Sequence, residues 1–347
     1  MVFVMDYKIP EVTVVVPVYN GESFIDDCIG FIRAQTFLDY EIIIVVDRRS
    51  SDDLLQKVRE ISKTVPDCRV IIQDDDKRLG GARNLGLDNA LGRLIWFMDV
   101  DDLVSPYFLE EMVSIQKNTS ADFVCCNFVY AGPDDRKMRD FPKEECTLSV
   151  MNSDQALYGR ANEQFPVTTW SKVFVKKFLI DNDLHFNDTM SEDIYHTYKA
   201  ILSADEVVYY SRPMYGYRKH SDSITCNEKY RDIRGQDEIS AYDFLESMLS
   251  DRGDMNVLLR RRFALIRMRA SSHMTYSAYL KYAKSEICKE LYTTNLKSPA
   301  SLEGSWHRYM PRTYYLAIRL FCRLVYYRYG RPFIKVRREP DIGGKSK

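Results

Sequence analysis

Five apolar residues, Leu94-Ile95-Trp96-Phe97-Met98, end abruptly in Asp99-Val100-Asp101-Asp102. An apolar run this short, bounded by turn residues, reads as a buried strand, and three carboxylates at its C-terminal end are costly to place there without a partner. Oxygen ligands with no histidine or cysteine close by in sequence suit Mg2+ or Mn2+, hard cations held through one or two carboxylates plus substrate phosphates. The alternative is an Asp-rich turn that caps a helix starting near Pro106.

The preceding segments repeat the pattern. Val12-Thr13-Val14-Val15-Val16-Pro17-Val18-Tyr19-Asn20 and Glu41-Ile42-Ile43-Ile44-Val45-Val46-Asp47 are continuous apolar strands closed by polar residues, and Arg69 to Gln73 leads into Asp74-Asp75-Asp76. Helical spacing fills the intervals: Glu22 to about Thr36, Ser51 (as cap) to Thr64, and Leu79 to near Gly92. Such runs belong to a parallel sheet covered on both faces, whose ligands sit at the carboxyl ends of its strands. Asp47 and the Asp99 cluster then share one edge. Neither a G-x-G-x-x-G turn nor a Walker-type loop follows the first strand, where Tyr19-Asn20-Gly21-Glu22 stands, so a divalent cation is the available way to hold phosphate.

Composition removes several classes. The net charge of −1 gives no reason to expect nucleic acid as a partner, and the eight cysteines include no CxxC pair, so neither a zinc site nor a disulfide framework is indicated. Met1 to Asp6 lacks a basic leader, and no window reaches the roughly 18 uncharged apolar residues of a spanning helix, which puts the expected active part on the cytoplasmic side.

Further along, Pro106 to about Lys117 reads as a helix and Asp122 to Tyr130 as a strand, and residues 132–148 read as a charged, mobile loop over the site. Thr168-Thr169-Trp170-Ser171-Lys172 brings a tryptophan and a lysine back towards the sheet. Ser191-Glu192-Asp193 opens a helix with Ser191 as cap; its acids either complement the helix dipole or include a general base. A strand from Glu206 to Ser211 gives way to a loop, Pro213 to Thr225, in which Arg218, Lys219, His220 and Ser223 suit a diphosphate, although a solvated basic loop has the same look. His220 is also placed to complete a metal shell.

Taken together, Pro17-Val18-Tyr19-Asn20, Glu41 to Asp47 with Ser50-Ser51-Asp52, Ala82-Arg83-Asn84 with Gly86, Asp99-Val100-Asp101-Asp102, Trp170-Ser171-Lys172, Glu192-Asp193 and Tyr217 to Thr225 resemble the family-2 glycosyltransferases of the GT-A fold across residues 10–225. The resemblance implies a Rossmann-like, mixed but mainly parallel α/β sheet flanked by helices. It implies inverting transfer of a sugar from a nucleoside-diphosphate sugar, usually UDP-linked, to a glycan or lipid-linked acceptor. Asp99 and Asp101 would hold Mg2+ or Mn2+ on the diphosphate with His220, Asp102 supporting, and Asp193 beside Glu192 would be the base. Pro17, Tyr19, Asn20, Glu22 and Asp47 would surround the nucleobase, Arg83 would lie near the phosphates or uracil, and Trp170, Lys172, Arg218 and Ser223 would complete the donor site.

One departure stands out: an acid and a glycine usually follow the position of Asp47 in that family, whereas here Arg48-Arg49 follow. The pair is expected either to meet donor phosphate or an acidic sugar, or to face solvent. Competing functions are a sugar-nucleotide nucleotidyltransferase, which the absence of a glycine- and arginine-rich first loop disfavours, and a non-catalytic glycan-binding derivative. The expected division is a catalytic domain over 1–227 and a helical C-terminal extension over 228–347. In that extension Arg260-Arg261-Arg262, Arg267 and Arg269 read mostly as a solvated helix face. Residues 305–338 hold arginines among aromatics with no acid, fitting either an interfacial helix on an anionic inner membrane face or a helix packed on the catalytic domain.

Overall fold

The computed structural model describes residues 9–137, 146–220, 223, 227–251, 253, 257–283 and 312–317. In chain order the elements are β1 (Val12–Val18), α1 (Ile25–Arg33), β2 (Tyr40–Asp47), α2 (Asp52–Thr64), β3 (Cys68–Gln73), α3 (Arg78–Asp88), β4 (Leu94–Phe97), β5 (Leu103–Val104), α4 (Phe108–Thr119), β6 (Phe123–Ala131) and β7 (Leu148–Met151). They continue with α5 (Ser153–Ala161), β8 (Lys172–Val175), α6 (Lys176–Asp181), α7 (Glu192–Ser203), β9 (Val207–Arg218), α8 (Arg231–Asp251), α9 (Val257–Ser272) and α10 (Tyr276–Ala283). The strands form one mixed sheet, ordered β3-β2-β1-β4-β8-β6-β9-β5, with β7 also paired to β9. The β3-β2-β1-β4 half is parallel, and β8 enters antiparallel between β4 and β6.

Period-2 alternation divides the apolar runs between two layers. Val14, Val16, Ile42, Ile44, Leu94 and Trp96 pack towards α1, α2 and α4. Val15, Ile43, Val45, Ile95 and Phe97 pack towards residues of α3, α5 and α7, and this second core continues into Tyr242 and Leu245 of α8 and Phe263 of α9. The helical extension therefore shares a core with the sheet. Charged residues of α9 help to lock it: Arg267 is buried, with Nη1 2.7 Å from Glu246 Oε2, and Arg262 Nε donates to the Ala161 carbonyl. For these two arginines the expected solvated face is replaced by helix-to-helix contacts.

Two local expectations change. The strand that was to stop at Ser211 runs on to Arg218, because the ladder with β6 slips at Asn127, which pairs with Pro213, and a proline is tolerated at such a bulge. Arg218 therefore sits on a strand end and not in a loop. Ser191 precedes α7 but makes no side-chain cap. Among the described residues no helix is long and apolar enough to cross a membrane. Residues 312–317 form a helical turn in which Tyr314 and Tyr315 are buried with Tyr279 of α10, while Arg312 and Leu316 stay exposed. The rest of 305–338, like residues 138–145 of the expected loop, lies outside the described residues.

Candidate functional site

The carboxyl ends of β1, β2 and β4 carry Tyr19-Asn20, Asp47 and Asp99 to one edge, as parallel strands must. What gathers the acids there is α3. A Cβ on Gly86 would stand 2.2 Å from Val15 Cγ1, and one on Gly80 2.4 Å from the Asn187 carbonyl oxygen, so only glycine lets α3 nest between β1 and the segment leading to α7. Asn84 locks that segment with two bonds: its Nδ2 donates to Phe186 O and its Oδ1 accepts from Phe186 N, both 2.8 Å.

So seated, Arg83 is 1% exposed and its guanidinium is shared by three carboxylates. Nη1 lies 2.7 Å from Glu192 Oε1 and 3.0 Å from Asp193 Oδ1, and Nη2 2.9 Å from Asp99 Oδ1. Burial, reinforced by the Asp193 charge, pushes the Glu192 carboxyl up to about 7 despite Arg83. Burial likewise lifts Asp99 to about 6, against the pull of Arg83 and with the help of Asp101 and Asp193. Arg83, expected near phosphate or uracil, thus meets the chain's own acids.

Asp101 Oδ2 is 2.8 Å from His220 Nε2, a pair from the two ends of the sequence reading. Asp102 is buried and does not cap the following helix, which has no side-chain cap; its Oδ1 accepts from Arg218 N at 2.8 Å. Burial, then the Asp101 and Asp99 charges, raise the Asp102 carboxyl well above its usual range. The Asp99 N–H donates to the Tyr215 hydroxyl at 3.3 Å. The Arg218 guanidinium is buried against the Phe24 ring, and none of its nitrogens has a hydrogen-bond partner among the described residues; the same holds for Ser223 Oγ. A buried cation without a hydrogen-bond partner is costly.

On the β2 side, Asp47 is clasped by Arg49, and Asn20 N reaches Ser50 Oγ at 3.5 Å. Pro17 is buried within β1, and Glu22 accepts from the Ser51 hydroxyl. Two expected donor contacts are placed elsewhere. Lys172 is fully buried and spends its ammonium on the carbonyls of Pro166 (3.0 Å) and Thr168 (2.5 Å). Trp170 is buried in the core, stacked at 4.2 Å on Tyr215, whose hydroxyl meets Asp99, so it supports the site from behind. The roles of Asn84 and Tyr215 were missed: Asn84 lay inside a recognised motif and Tyr215 in the segment read as a loop, but only three-dimensional contact gives each a partner.

The mixed sheet, with acids at the carboxyl ends of β2 and β4 and at the start of α7, has the architecture of the GT-A fold. Residues 13–178 match the model of glycosyl transferase family 2, and the relatives the chain resembles are named as glycosyltransferases. It is 28% identical over 267 residues to the uncharacterized glycosyltransferase EpsJ of Bacillus subtilis, covering 73% of this chain and 76% of EpsJ. It is 31% identical over 189 residues to the succinoglycan biosynthesis protein ExoO of Rhizobium meliloti, covering 53% of each. Its fold is similar to that of S. aureus TarS 1–349 crystallised with UDP-GlcNAc (18% identity, TM-score 0.55, 95% of this chain and 98% of that one). It is also similar to the mannosyltransferase PcManGT from Pyrobaculum calidifontis in complex with GDP-Man and Mn2+ (16% identity, TM-score 0.54, 90% and 86%).

Proposed function

We propose that this glycosyltransferase moves a sugar, with inversion, from a nucleoside-diphosphate donor to a hydroxyl of a glycan or lipid-linked acceptor in polysaccharide synthesis, with Mg2+ or Mn2+ as cofactor. The observation that carries the reading is Arg83 tying Glu192 and Asp193 to Asp99: acceptor-side acids and donor-side acids share one guanidinium. TarS was crystallised with UDP-GlcNAc, PcManGT with GDP-Man and Mn2+, and ExoO is named for a polysaccharide, which supports the substrate classes.

The residues fit a hard cation. Among the described residues no three His, Cys, Asp or Glu side chains form a self-sufficient cage. Asp101 and Asp99 offer the one or two protein ligands that such an ion needs when substrate phosphates complete its shell, with His220 paired to Asp101. Three carboxylates on one cation also leave local negative charge for it to balance. When bound, the ion would neutralise charge on the leaving diphosphate. Arg218 and Ser223 would bind the phosphate oxygens from the buried side.

Asp193 is the more accessible of the two helix acids, at 21% against 8% for Glu192, and so can meet an acceptor from solvent. Its carboxylate takes the acceptor O–H proton while that oxygen forms a bond to the anomeric carbon and the bond to the diphosphate oxygen breaks. Arg83 holds the carboxylate in line. Turnover of a panel of UDP- and GDP-sugars with MnCl2 tests this. Asp193→Asn and Asp101→Ala should each lose about 100-fold or more in kcat while keeping the native melting temperature. Full turnover in Asp193→Asn would sink the assignment.

A further inference from the structure

The two arginines after β2 part company. Arg48 faces outward to Asp74. Arg49 turns back: its backbone N–H and Nε donate to Asp47 Oδ1 at 2.8 and 2.9 Å, Nη2 donates to Asp47 Oδ2 at 2.6 Å, and Nη1 to Asp76. Its guanidinium carbon is 5.7 Å from the centre of the Tyr19 ring. Both oxygens of Asp47 are thus taken by the chain itself, and that carboxylate is only 8% exposed. A carboxylate so occupied is a poor acceptor for a ligand N–H.

The guanidinium is in the opposite position. Three of its five N–H groups are used, two remain, and half of its surface is open. It is held by groups from the ends of β1, β2 and β3 at once, so little is lost in ordering it for a ligand. The Asp47 charge holds Arg49 firmly protonated, and Arg49 in turn lowers Asp47, so the pair stays ionised. In the sheet β2 stands two places from β4, about 10 Å from the Asp99–Asp101 end, with the Asn20-Gly21 turn of β1 between. A nucleotide with its diphosphate at Asp101 and its ribose across β1 presents its base at Arg49.

Resting on the nucleoside-diphosphate reading above, we propose that Arg49, seated by Asp47 and Asp76, is the base-selecting residue, and that it selects bases with a carbonyl at pyrimidine C4 or purine C6 (uracil, guanine) over those with an amino group at that position (cytosine, adenine). The free N–H groups meet a carbonyl as donors to an acceptor; an amino group sets donor against donor and leaves both without a partner.

Calorimetric titration of the full chain with UDP, GDP, CDP and ADP, each with MnCl2, tests this. UDP and GDP should bind about 10-fold tighter than CDP and ADP. In Arg49→Lys, and in the double variant Asp47→Ala/Arg49→Ala that leaves no freed carboxylate, all four should bind with similar affinity, close to that of ADP, because lysine keeps the charge but loses the fork. Equal affinities in the native chain, or a preference that survives in the double variant, would overturn the assignment. If none of the four binds the native chain, the donor reading falls and this inference with it, which separates the two failures.

Discussion

At Arg83 one positive charge answers three carboxylates, while its neighbour in space, His196, solves burial the other way, by giving up its charge. The imidazole lies 3.9 Å from Phe186, stacked, with the edges of Phe97 and Phe174 around it. Burial first, then the Arg83 and Lys172 charges, push it down to about 3. In the unfolded chain it titrates near roughly 6.5. Between those values the unfolded state holds the proton and the folded state does not, so the stability is full above the unfolded value and is lost as pH falls towards 3. His196→Phe keeps the stacking and removes this dependence: the stability lost between about pH 7.5 and about pH 5 should shrink by about 2 kcal/mol in urea denaturation. An unaltered pH dependence would show that His196 titrates alike in the folded and unfolded chains. Its neutrality is not written in local sequence, since it depends on Phe97, Phe174 and Arg83 far along the chain, whereas the Arg49 clasp on Asp47 is a contact two residues apart.

The element that matters most to the site is α3. Read from Leu79 to near Gly92, it runs from Arg78 to Asp88; its place after β3 was legible from Gly80-Gly81-Ala82-Arg83 and the alternation of strand and helix. Its tilt onto β1 was not, because the reason is the contact of Gly86 with Val15. Gly86→Ala should cost about 1–3 kcal/mol in urea denaturation by overpacking, and should lower kcat beyond its effect on stability, as Arg83 shifts from the acids. Native stability would mean that Val15 yields without moving the helix. β9 carries the complementary lesson: Pro213 and the charges after it argued for a loop, and a bulge opposite Asn127 made a strand possible.

Over the whole molecule, α8 and α9 share the second apolar core with the sheet, so the sheet and these two helices fold together. Tyr314 and Tyr315 pack on Tyr279 of α10 in a separate small cluster, which favours helix docking for 312–317; the basic segment expected to meet a membrane continues beyond it. We propose peripheral attachment through that segment. The full chain should float with vesicles rich in anionic lipid at low salt and be released at high salt, while a chain ending at residue 317 should stay at the bottom of the gradient. Equal flotation of both would remove the membrane role.

Sequence alone determined the alternation of buried strands and helices and the acidic strand ends, because hydrophobic period and turn chemistry are local. It also brought out the motifs Asp99-Val100-Asp101-Asp102 and Glu192-Asp193, because these residue types serve few chemistries together. Only the tertiary structure decided which groups meet. It joined Arg83 to acids from two distant segments, set Asp101 against His220, withdrew Lys172 and Trp170 into the interior, and brought Arg49 to Asp76. These are outcomes of packing and of the cost of burying unpaired charge, which no stretch of chain can settle by itself.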